Sequence, residues 1–470
     1  MENLYFSLPS SVLVPRSDVK PIFDKYFAQY AVVNTAIDPT VTALARVTQL
    51  FYHGGTLDAA AWRTRSFWFN SHQLPELAAF DGHKAYLLSG GEYQGPLKED
   101  LEEEYDDDKA EAIYALSRGL FYAGCFAEAY LMISLKTGFL EACGDQKKQK
   151  LIDLKLAASA AYEQTINQHI GPSGLRMDLV QFMLVPTVRD GRVRVTKYPL
   201  IPANLYGLQG SEIGSLNAEL HRQSAIPGSC IIRKKTTPPR ERSSTEEPGS
   251  GAGYSIFVTR DIPQGAPLFS ETTRLYSHTH SEALEPCKNC LLDVSENRQA
   301  DGTFEYRTSF CSNGCARKFT RFVHVPEELF RKVLQNTVQW VRQSPQRHPL
   351  RAPGIAGLDA DYGGPMYLSY DRHIAGAIDE LQRQGVGIDS GTNWDGCVVM
   401  DILARVQNSS RAFDVDEVNS FVALTRLFPL IHDGAGNTAF TWKQTGVTAT
   451  VDVMAKRDLK MGEELFVSPV

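Results

Sequence analysis

What the sequence does not contain narrows the field first. No apolar run in its 470 residues approaches the roughly 20 that a membrane helix needs. The first twenty residues, MENLYFSLPSSVLVPRSDVK, lack the basic start and apolar core of a secretory leader. They resemble protease recognition sequences, imperfectly in both halves, and are set aside from the fold. Neither sign of charge dominates: the formal net charge is −7, which gives no global pointer to nucleic acid or to a membrane surface. Cysteine is too sparse, at eight in the chain, for a disulfide scaffold. With no leader, an intracellular compartment, nuclear or cytoplasmic, is expected. Clustered cysteines there hold metal more often than each other.

What remains is ordinary globular composition, 43% hydrophobic and 22% charged, over a length that suits two or three domains. The first half reads as helical. AEAIYALSRGLFYAGCFAEAYLMISLKTGFLEA has apolar residues every three or four positions, with a break at Gly124. The segments YFAQYAVVNTAIDPTVTALARVTQLFY and KQKLIDLKLAASAAYEQTINQHI are candidate neighbours. The acidic run KEDLEEEYDDDKAE reads as a solvated loop or helix face. GRVRVTKYPLI ends on a strand-like pattern, and RKKTTPPRERSSTEEPGSGAG reads as a loop.

After that loop the pattern changes. YSIFV alternates as a strand, and DIPQG follows as a tight turn. Near the end, VTATVDVMAKRDLKMGEELFV repeats strand, turn and strand. Between them lie PCKNC and CSNGC, a C-x2-C and a C-x3-C motif carrying Cys287, Cys290, Cys311 and Cys315. Four thiolates from two knuckles match the closed tetrahedral set of a structural Zn²⁺, one per chain. VPEELFRKVLQNTVQWVRQS, SYDRHIAGAIDELQRQG and GCVVMDILARVQNSS read as helices.

Two resemblances follow from these motifs. Small and aromatic residues around AGCFAEAY resemble a tetratricopeptide helix pair. The two strand–turn–strand units, over roughly residues 229 to 470, resemble the halves of a SET domain, the fold of protein-lysine methyltransferases. The opening is carried by Gly251, Gly253, Phe257, Thr259, Arg260, Asp261, Ile262 and Gly265. The close is carried by Ala455, Arg457, Asp458, Gly462, Glu463, Glu464 and Leu465. The cysteine cluster resembles a reduced MYND zinc module of the SET-and-MYND type. The resemblance implies an α+β chain, with a helical N-terminal domain over 1–225 and a SET domain over 226–470. Within the latter it places a zinc insert at 284–323 and a helical insert at 324–415.

It also implies S-adenosylmethionine as cofactor, with Gly251, Gly253, His432 and Asn437 in the positions that bind it. The chain departs from the family where that chemistry is carried. Ser255 stands where a third glycine lets backbone meet ligand. Ile431, Asp433 and Gly434 replace polar letters of the adenine-binding segment, and Pro469 stands where a tyrosine hydroxyl would be. Three readings stay open. One is a diverged methyltransferase, with Tyr367 or Tyr370 supplying the hydroxyl. Another is a binding module that lost catalysis. The third is a repurposed small-molecule catalyst with Tyr370 (or Asp371), His432 and Asp433 as an acid–base set. The substrate, protein or small molecule, and the oligomeric state are not legible.

Overall fold

The computed structural model describes residues 59–91, 107–134, 143–170, 191–198, 200–206, 208, 210–234, 254–280, 327–358, 360, 365–388, 392–414, 419–445 and 447–467. Helices and strands are both present, as an α+β chain requires. No described helix is long and apolar enough to cross a membrane.

In chain order the helices α1 (Ala59–Ser71), α2 (Pro75–Leu88), α3 (Asp107–Tyr122), α4 (Phe126–Ser134) and α5 (Asp145–Ile170) come first. Strand β1 (Gly191–Arg194) and helix α6 (Gly210–Gln223) follow. Then come β2 (Cys230–Lys234), β3 (Tyr254–Val258), β4 (Pro267–Thr273), β5 (Tyr276–His280) and helix α7 (Glu327–Gln343). Strand β6 (Pro365–Leu368) runs into a π-helical turn, Tyr370–Ala375, that continues as α8 (Gly376–Arg383). The chain ends with α9 (Gly396–Ser409), β7 (Ser410–Asp414), β8 (Asn419–Leu424), β9 (His432–Thr445), β10 (Thr448–Ala455) and β11 (Phe466–Val467).

Two compact units result. One comprises 1–193, 198–201 and 365–400; the other comprises 194–197, 202–364 and 401–470. This division does not follow the boundary expected at 225. Residues 202–225, including α6, group with the β-rich unit, and 365–400 group with the N-terminal helices. The stretch expected as one helical insert, 324–415, is thereby divided, and it holds β6 and β7 besides its three helices.

In the first unit, α2 and α3 cross with their backbones nearly touching. A Cβ on Gly82 would lie 2.6 Å from the Leu116 Cα, and one on Gly119 would lie 2.5 Å from the Ala79 nitrogen. Glycine and alanine are therefore required at this crossing. The buried run Ala78, Ala79 and Ala115 completes it. The tight pair is thus α2–α3, one helix earlier than the AGCFAEAY segment suggested. As read from sequence, the helical pattern breaks at Gly124, between α3 and α4.

In the second unit, sheet order is β11-β9-β10-β4, with β5-β8-β7 and β2-β3 as smaller sheets. Strand β10 alternates half-buried and buried positions along its length. Its inner residues Ala449, Val451, Val453 and Ala455 pack with Leu216 and Leu220 of α6, Leu268 and Phe269 of β4, and Leu427 and Phe428. A period of two on one sheet and a four-residue apolar spacing on one helix thus form a shared core. YSIFV is β3, as expected, but its burial does not alternate: Ser255, Ile256, Phe257 and Val258 are all buried.

Candidate functional site

The two R-D-x-x-x-G turns expected to bracket the domain meet each other. Ile262 and Leu459 exchange backbone hydrogen bonds, with N–O distances of 2.9 and 2.8 Å. The Gly265 N–H donates to the Ala455 carbonyl, and the Gly462 N–H to the Val258 carbonyl, each at 2.8 Å. Asp261 accepts from the Met461 N–H at 2.9 Å, and Asp458 from the Gln264 N–H at 2.8 Å. Each contact has a counterpart at the same offset in the other turn, so a local two-fold relates them. Gly265 and Gly462, at φ +77° and +85°, occupy the left-handed region that lets each turn close. Neighbouring N–H donors from Met461 and Lys460 hold the Asp261 carboxyl below the usual carboxylate range.

Asn437 fastens the C-terminal segment beside this pair. Its amide donates to the Glu464 carbonyl at 2.7 Å and to Glu463 Oε1 at 3.2 Å, while its Oδ1 accepts from the Phe466 N–H at 2.7 Å. The Thr438 hydroxyl donates to the Phe466 carbonyl at 2.7 Å, and β11 lies parallel to β9. One asparagine thereby replaces several ladder bonds that a two-residue strand cannot make alone.

Glu271 of β4 anchors the approach to LFPLIHDGAGNTAF. Its carboxyl is buried and accepts from the backbone N–H groups of Arg426, Leu427 and Phe428 at 2.5 to 3.1 Å. Burial pushes its pKa up to about 7, against the opposite pull of those three donors. Phe428 then packs edge-on against Phe440 and Trp442, with centroids 5.0 and 6.1 Å away.

The positions expected to face S-adenosylmethionine have other occupations. The Ser255 side chain is 0% exposed and donates to the Leu430 carbonyl at 3.2 Å; Ile431 is 1% exposed. Asn437 is committed at both ends of its amide. Of the four positions expected to bind the cofactor, Asn437 is the one whose side chain is described. His432 and Asp433 open β9, with His432 opposite Phe466 in register, and their side chains lie outside the described set. Gly251, Gly253, Pro469 and the four cysteines expected to bind zinc also lie outside the described residues. Among the described residues no group of three His, Cys, Asp or Glu could hold a metal. Cys125, Cys143, Cys230 and Cys397 are buried thiols outside any disulfide, and the Cys125 thiol donates to the Leu368 carbonyl at 3.3 Å.

Tyr370 belongs to the helical unit, whereas His432 and Asp433 belong to the other. It is 2% exposed and shares a 2.9 Å hydrogen bond with His83 Nδ1, and its N–H donates to Glu128 Oε2 at 2.8 Å. Burial drives the His83 pKa down to about 3 and the Tyr370 phenol well up, so both are neutral near pH 7. In the same unit Arg65 bridges Asp81 and Asp395 at 2.5 to 2.7 Å.

Sequence reasoning missed Glu271, Asp81 and Arg65. Glu271 sits in FSETT, where alternation reads as a solvent-facing polar position. A charged residue inside an otherwise apolar helical face was the available signal for the other two. No family model matches the chain, and no curated protein matches it.

Proposed function

We propose that the C-terminal unit is a SET-type fold kept as a scaffold, with its methyl-transfer site converted to packing, and that the chain works as a binding protein. The carrying observation is the burial of Ser255 and Ile431, with the Ser255 hydroxyl spent on Leu430. Backbone approach to a sulfonium cofactor needs open space at the first of these positions and a polar group at the second. The mutual pairing of the R-D-x-x-x-G turns supports the SET reading, because those turns are the letters that carry the resemblance. The tetratricopeptide-like reading of AGCFAEAY, at the junction of α3 and α4, is part of the same proposal. Cys287, Cys290, Cys311 and Cys315 are proposed to hold one structural Zn²⁺ in a MYND-like insert.

Calorimetry with S-adenosylmethionine tests the reading. No heat of binding is expected at millimolar cofactor, and a micromolar Kd would overturn it. Metal analysis of the purified chain should return close to one zinc; a value near zero would remove the insert from the proposal.

A further inference from the structure

A cavity of about 260 Å³ lies beside α7 in the β-rich unit. One wall is a single helix face: Val333, Asn336, Thr337 and Trp340 recur at the three- and four-residue spacing that brings side chains together. The rest comes from Pro353, Gly354 and Ile355, just past the 3₁₀ turn Pro349–Arg351, and from Leu275, just before β5. Asn336 and Pro353 are exposed and Trp340 is half-buried, so the cavity has a mouth at the surface. A Cβ on Gly354 would lie 3.1 Å from Leu275 Cδ1, so glycine there leaves Leu275 its place in the wall. Of the polar groups, one is spent and one is open. The Thr337 hydroxyl donates to the Val333 carbonyl at 2.7 Å, whereas no hydrogen bond among the described residues engages the Asn336 amide. Among the described residues no charged side chain lines the cavity. The Arg347 guanidinium carbon lies 5.0 Å from the Trp340 ring and steadies it without joining the wall.

We propose that this cavity binds a free, neutral aromatic molecule of up to two rings that carries one hydrogen-bonding group. An apolar cavity of about 150 Å³ already holds benzene, so the volume here admits a bicyclic ligand. The walls are carbon, and an ion taken into them would lose its water without gaining a counter-charge. Trp340 packs against the rings, and the Asn336 amide meets the polar group at the mouth. None of the walls belongs to the positions expected to meet S-adenosylmethionine, so the site does not rest on the fate of methyl transfer.

The test is saturation-transfer NMR of the full chain, titrated with indole, 1-methylindole, indole-3-carboxylate and N-acetyltryptophanamide. Indole should bind saturably with a Kd below about 1 mM. 1-Methylindole keeps the rings but has lost its donor, and should bind about fivefold more weakly, the net worth of one hydrogen bond. Indole-3-carboxylate should bind about tenfold more weakly or worse, because its charge finds no partner. On Asn336→Ala, indole and 1-methylindole should bind alike; on Trp340→Ala neither should saturate. Asn336 is exposed, so its variant carries the test should Trp340→Ala fail to fold. No saturation with indole, an unchanged indole affinity in Trp340→Ala, the same preference for indole over 1-methylindole in Asn336→Ala, or indole-3-carboxylate binding as tightly as indole would overturn the site. N-acetyltryptophanamide binding more tightly than indole would overturn the free molecule as occupant in favour of a partner's side chain.

Discussion

The helical unit and the β-rich unit meet their buried polar groups in opposite ways. Among the helices, side chains answer side chains: Arg65 with Asp81 and Asp395, and Tyr370 with His83. In the β-rich unit, side chains answer backbone: buried Glu271 takes three N–H groups and buried Asn437 takes Phe466 and Glu464, while at the surface Asp261 and Asp458 each take one. The cause is where backbone donors are left over. A helix satisfies its own interior N–H and C=O groups, so a charge buried between helices must find another side chain. Tight turns and two-residue strands leave backbone groups unpaired, and a short polar side chain meets them. Exceptions mark where the contrast relaxes: among the helices Lys84 donates to the Ile388 carbonyl, Ser66 to the Ala78 carbonyl, and Glu128 takes the Tyr370 N–H, while Arg405 pairs with Asp401 at 2.7 Å in the other unit.

The largest break of this contrast is expected at Asp81. Asp81→Ala takes one of two carboxylates from Arg65 and should destabilise by about 3–5 kcal/mol, the range for removing one member of a buried pair. Chemical denaturation measures it; a loss under about 1 kcal/mol would deny the network its weight.

Next comes Glu271→Ala, which orphans three backbone donors and should cost about 2–4 kcal/mol. The same carboxyl gives a pH signature. Burial holds Asp81 up at about 6 and Glu271 up at about 7. Between pH 4.5 and 7 the native state keeps protons that the unfolded chain releases. The stability from these groups is therefore full below the ordinary carboxylate range and is lost as pH rises through 6 and 7. Melting temperature should fall across that window, and Glu271→Gln should flatten its upper part. A melting temperature that climbs from pH 5 to 7, unchanged in slope by the glutamine, would reverse the sign assigned to burial.

Asn437→Ala should cost about 1–3 kcal/mol, because the Phe466 N–H and Glu464 carbonyl lose their partner together. It should also raise hydrogen exchange at Phe466 before the rest of the sheet. The smallest effect sharpens the comparison most finely. Gly265→Ala and Gly462→Ala each force a side chain into the left-handed region and should cost about 1–2 kcal/mol apiece. The local two-fold predicts costs that agree closely; a several-fold difference between them would show that the turns are not equivalent.

Local pattern carried much of this fold into the sequence. YSIFV read as a strand and is β3, the helical pattern broke at Gly124, and RDIPQG and RDLKMG read as matched turns. What failed to show was anything that depends on a distant partner. Glu271 looks solvent-facing in β4 until the Arg426–Phe428 backbone is brought to it. Gly82 and Gly119 look like weak points in their helices until each is seen to admit the other helix's backbone. The grouping of 365–400 with the N-terminal helices depends on contacts that no local period encodes. In the candidate site, the departures at Ser255 and Ile431 were legible as letters. Their burial, and the use of Asn437 to hold the chain end, were not.

Hydrogen exchange of the full chain, with and without 1 mM S-adenosylmethionine, tests most directly the proposal that a SET-type frame has filled its own site. Unchanged exchange at residues 254–258 and 430–438 is the predicted result. Protection confined to those two segments on adding the cofactor would contradict it.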